Sequence, residues 1–78
     1  MRRYDLRGYK NDFKKRALEI LDESAEKEVL IFIFENTANE QLKDFINAMR
    51  DKNADVLNSL KFNEVDWTIT VRMKGLNE

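Results

Sequence analysis

The hydrophobic pattern divides the chain into six segments. Tyr4-Asp5-Leu6-Arg7 alternates and stops at Gly8, which predicts a short edge strand. From about Asp12 to Ala25, Phe13, Ala17, Ile20, Leu21 and Ser24 recur at the spacing of one helical face, with Lys14, Lys15, Arg16, Glu19, Asp22 and Glu23 on the other. Asn11 or Asp12 is placed to cap that helix. Val29-Leu30-Ile31-Phe32-Ile33-Phe34 has no turn former and no polar residue, which predicts a central strand.

A second helix is expected from about Ala38 to Lys52. Thr37 and Glu40 have the spacing of a capping box, and Leu42, Phe45, Ile46 and Met49 form its apolar stripe. Asn53 suits the left-handed residue beyond its end. A strand follows over about Asp55–Phe62, with Val56, Leu60 and Phe62 at even positions and Asn63-Glu64 as its turn. The final strand, Trp67–Met73, is apolar at odd positions and polar at even ones, so one face is core and the other water. The order β-α-β-α-β-β predicts an α/β (α+β) two-layer sandwich, in which a four-stranded mixed sheet carries both helices on one face.

That architecture leaves half of the 29–34 strand on the open face. Either Val29, Ile31 and Ile33 or Leu30, Phe32 and Phe34 must lie there, beside Thr68, Thr70 and Arg72. We assign Leu30, Phe32 and Phe34 to a partner interface, because an open stripe of large apolar residues marks a docking surface. The competing reading is that a terminal segment covers the stripe. Trp67 belongs to the apolar side of its strand and is expected in the core.

Composition narrows the chemistry. The 78 residues suffice for one domain, 1–78, and include no cysteine and no histidine. Disulfides, thiolate metal sites and imidazole general bases are therefore excluded. The net charge of −1 conceals an asymmetry: residues 1–16 hold seven bases against two acids, and the remainder seven against thirteen. Arg7, Lys10, Asn11, Lys14 and Lys15 surround the turn into the first helix, where free N–H groups favour an anion such as a flavin phosphate. The plainer alternative is a solvated helix face with pairs such as Lys15–Glu19. Nucleic acid fits less well, since the acidic remainder repels phosphate, and the acidic pairs Asp22-Glu23 and Asp51/Asp55 read as surface. No apolar run is long enough to span a bilayer, which predicts a cytoplasmic domain, at most peripheral to the inner face of the membrane.

Two resemblances add to this. The element order, with Asp5-Leu6-Arg7-Gly8 leading into a helix, resembles the SirA/TusA sulfur-carrier family. The Cys-Pro-x-Pro motif of that family is replaced here by Asn11, Asp12, Phe13 and Lys14, so sulfur transfer is not implied. Arg3-Tyr4-Asp5-Leu6-Arg7, Leu57-Asn58-Ser59-Leu60-Lys61-Phe62-Asn63, Asp66-Trp67-Thr68-Ile69 and Val71-Arg72-Met73-Lys74 resemble a second family. These are the short proteins in the NuoE position of respiratory complex I, in bacteria whose enzyme lacks the usual NADH-oxidising module. That resemblance implies a non-catalytic accessory subunit or adaptor of an NADH-quinone oxidoreductase, without an iron–sulfur cluster. Its partners would be other subunits or an acidic flavoprotein donor, and a contact with flavin mononucleotide (FMN) is conceivable. The alternative is a free-standing SirA/TusA-like ligand-binding or regulatory module. An enzyme built on carboxylates has little support.

Overall fold

The computed structural model describes residues 2–35, 42–61 and 66–75. Strand β1 (Arg2–Asp5) leads through a 3-10 helix (Arg7–Asp12) directly into α1 (Phe13–Glu23). Then come β2 (Val29–Glu35), α2 (Leu42–Asp51), β3 (Ala54–Lys61) and β4 (Asp66–Met73). The sheet order is β1-β2-β4-β3, with β1 parallel to β2 and β4 antiparallel to both its neighbours. The expected mixed sheet with two helices is therefore present, and β2 is central. The capping box at Thr37–Glu40 and the turn at Asn63-Glu64 lie outside the described residues, as does Phe62.

One core joins both helices to one side of the sheet. Phe13, Ala17, Ile20 and Leu21 of α1 and Phe45 and Met49 of α2 pack with Leu30, Phe32 and Phe34 of β2 and Ile69 and Val71 of β4. Its centre is aromatic. Phe13 stacks on Phe34 with centroids 4.8 Å apart, and Phe45 meets both edge-on at 5.2 and 5.9 Å. Trp67 packs against this cluster, as its place on β4 predicts.

This packing corrects the expected interface. Leu30, Phe32 and Phe34 are 0–1% exposed and present no surface. The open face is formed instead by Val29, Ile31 and Ile33, in register with Arg72, Thr70 and Thr68. The reason is complementarity with the neighbours: Phe13 and Phe45 need aromatic and aliphatic partners, whereas Arg3 and the β4 threonines tolerate water.

Three local details also differ from expectation. The chain winds as a 3-10 helix over Arg7–Asp12, so the edge strand ends at Asp5, not Arg7. Asp12 occupies the N-cap of α1 but makes no side-chain capping bond, because its backbone (φ −89°, ψ 0°) is already part of the preceding 3-10 turn. In β3, the register shifts between Val56 and Asn58. Leu57 is thus an extra, bulged residue, and Val56 pairs with core residue Val71 while Asn58 and Leu60 pair with Thr70 and Thr68 of the open face. Even positions of β3 therefore do not share one side. Asn53 does adopt the left-handed conformation (φ 66°), and its N–H donates to the Arg50 carbonyl.

Candidate functional site

The sheet brings together two segments that are far apart in sequence. β1 and β2 run in parallel and β4 runs against them, so the end of β1 and the start of β4 lie at the same end of the sheet. Asp5 stands opposite Ile33, which stands opposite Thr68. The Leu6 N–H donates to the Ile33 carbonyl at 2.7 Å and carries the chain past the strand, which delivers Arg7 over this corner.

Arg7 is the hub there. Its Nη2 and Nε donate to the two carboxylate oxygens of Asp5 at 2.6 and 2.9 Å, and its backbone N–H adds a third bond to Asp5. Its Nη1 donates to Asp66 Oδ2 at 3.2 Å. These bonds hold the Asp5 carboxyl down at about 2, with the Arg7 side chain as the main cause and its N–H next. The same contacts raise the Arg7 guanidinium above its ordinary value, Asp5 contributing more than Asp66. Asp66 is only 7% exposed, the one buried charged residue among those described. A small cavity of about 60 Å³ lies beside this pair, lined by Arg3, Arg7, Ile33, Asp66 and Thr68.

The anticipated anion-binding cluster is divided by this geometry. Arg7 is committed to Asp5 and Asp66 on the sheet side. Lys15 lines a separate shallow groove with Tyr9, Asp12, Arg16 and Glu19. Lys14 is half-buried and does not line that groove. Lys10 and Asn11 belong to the 3-10 helix, but their side chains lie outside the described residues. Within the groove Arg16, not Lys15, pairs with Glu19, at 3.4 Å. Two acids thus face two bases where a net positive pocket was expected. Sequence reasoning did not single out Arg3, Ile33, Asp66 or Thr68 as a site. Their only signal was that three of them lie in Arg3–Arg7 and Asp66–Ile69, the two end segments that carry the resemblance. Among the described residues no acidic group is arranged to hold a metal ion, and no helix is long and apolar enough to cross a membrane.

Residues 1–73 match the model of the NADH-ubiquinone oxidoreductase E-subunit family. The protein belongs to that family. Among solved structures it is similar to the solution structure of HP1264 from Helicobacter pylori. The two are 37% identical, with a TM-score of 0.73, over 96% of this chain and all of that one. No match was found among curated proteins. As a member of the E-subunit family this protein has a distinctive limit: with neither cysteine nor histidine, it has no ligand set for an iron–sulfur cluster. The two segments that carry the resemblance at the chain's ends are the ones that Arg7 and Asp66 join.

Proposed function

We propose that this protein is a non-catalytic accessory subunit or adaptor of an NADH-quinone oxidoreductase-type respiratory enzyme. One observation carries the reading: a family match over residues 1–73 in a sequence with no cysteine. The scaffold of the E subunit is kept while the means of holding a redox cluster is missing, so docking is the role left to it. The open sheet face, with Val29, Ile31, Ile33 and Leu60, is the surface best suited to a neighbouring subunit or an acidic donor protein. Such a subunit sits at the inner face of the membrane through its complex, with no segment of its own inserted.

For FMN the case is weaker. Lys15 and Arg16 offer a phosphate contact and Tyr9 an exposed ring, but Asp12 and Glu19 flank them and Arg7 is already neutralised. The groove supplies no enclosure for an isoalloxazine ring, and we derive no redox step through a flavin.

Purification of the protein, tagged and expressed from its own locus, tests the main reading. The other subunits of the quinone reductase should come with it in equimolar amounts through gel filtration in mild detergent. Elution as a free small protein, with the complex intact elsewhere, would remove the subunit proposal.

A further inference from the structure

We propose that the open sheet face seats a segment of a neighbouring subunit that presents a carboxylate to Arg3 and apolar side chains to Ile33 and Leu60. This inference rests on the subunit reading and names the chemistry of the contact. The first observation is electrostatic. Asp5 and Asp66 are paired with Arg7, and Asp55 with Lys74 at 3.5 Å. Arg2 is paired with Glu28, and Arg72 also has a partner. Arg3 makes no hydrogen bond or ion pair among the described residues, acting on Asp5 only through space. It nevertheless lines the cavity beside Ile33 and Thr68. At about 60 Å³ the cavity is several times the ~10–15 Å³ that one water needs, and it accommodates a small polar group.

The second observation is the apolar surface that continues from this cavity. Ile33, Thr68 and Leu60 are consecutive across β2, β4 and β3. Leu60 is 59% exposed, the most exposed large hydrophobic residue among those described. Ile31 and Thr70 extend the patch in the next row, beside Arg3. An arginine set at the margin of an apolar patch is the composition of a protein interface, and a planar fork suits a carboxylate bidentately.

Size decides between a second copy and a larger partner. Four strands of seven or eight residues project to roughly 20 × 25 Å, about 500 Å². A stable, free-standing dimer needs about 800 Å² per partner. This face alone falls short of that. It suffices as one of several contacts of a subunit held in an assembly.

Replacing Arg3 by lysine retains the positive charge and provides an amine that carbodiimide couples to a carboxylate it touches. In the complex purified through the tagged Arg3→Lys protein, residue 3 should be joined to an Asp or Glu of another subunit. Arg3→Glu and Leu60→Glu should each lower retention on the complex at least tenfold, with thermal midpoints unchanged because both side chains are exposed. Coupling of residue 3 only within its own chain or to a second copy overturns the proposal. So does full retention of both glutamate variants, and in that case the subunit reading stands. If the wild-type protein does not copurify with the complex, both are overturned together.

Discussion

Arg7 Nη1 lies 3.2 Å from Asp66 Oδ2, an ion pair between residues 59 apart in sequence that fastens the exit of β1 to the first residue of β4. The two ends differ in environment, the Arg7 side chain being half exposed and that of Asp66 largely buried. Loss of the arginine therefore leaves a buried carboxylate with less compensation, while loss of the acid leaves a cation in water that is still held by Asp5. Arg7→Ala should cost about 1–3 kcal/mol and Asp66→Ala less. The double variant should be less destabilised than the sum of the singles by roughly 0.5–1 kcal/mol. Urea denaturation of the four proteins measures this coupling, and strict additivity would show that the pair contributes nothing.

Asp5 gives a pH dependence with a definite sign. Its carboxyl titrates at about 2 in the folded chain, because Arg7 hydrogen-bonds its ionised form. In the unfolded chain the value is ~3.9. A depressed folded value contributes stability that is fully present above about pH 4 and is lost as the pH falls toward 2. The stability difference between wild type and Asp5→Asn should shrink across that window and be constant above it. A difference that instead changes between pH 5 and 7 would point to another group.

The aromatic centre predicts the cost of truncating it. Phe34 is fully buried and contacts both Phe13 and Phe45. Phe34→Ala should cost about 3–5 kcal/mol in chemical denaturation, most of the stability of a small domain. Phe32→Asp should abolish folding outright, since it places an unpaired charge where nothing is exposed. A well-dispersed NMR spectrum from Phe32→Asp would contradict the side of the sheet assigned to the core.

How much of this was legible in the sequence differs from strand to strand. β4 could be read residue by residue, because its strict alternation has only one phase that buries Ile69 and Val71. β2 could be identified as central but not oriented, since six apolar residues in a row contain no period. The choice is made by residues distant in sequence, namely Phe13 and Phe45 below and Arg3 and Thr68 above. In β3 the bulge at Leu57 reversed the phase, and no glycine or proline announced it. The divided basic cluster had the same cause. Arg7 and Lys15 are close in sequence, but the 3-10 turn directs one to the sheet and the other to the helix groove.

Lys27 offers an independent check on the backbone. It holds φ 63° in the turn before β2, where its N–H donates to the Met73 carbonyl at 2.8 Å. A side chain other than Asn or Asp is costly in that conformation, and glycine adopts it freely. Lys27→Gly should therefore raise stability by up to about 1 kcal/mol, visible as a higher thermal midpoint; a lower midpoint would contradict the turn.

The groove at the start of α1 predicts how anions behave. With only Lys15 and Arg16 available, inorganic phosphate and FMN should shift the same amides within residues 9–19, each with a dissociation constant on the order of 1 mM. Micromolar FMN affinity with shifts beyond those of phosphate would mean that the flavin ring is held as well.

The order β1-β2-β4-β3 also has a consequence for synthesis. β4 is translated after both of the strands it separates. Until it leaves the ribosome, β2 has one unsatisfied edge and β3 has no strand beside it, so the nascent chain displays a hydrophobic ribbon ready to pair with any other. Acquisition of the native state is therefore tied to completion of the chain. A ribosome stalled before residue 66 would hold a substrate for chaperones, not a partly working domain.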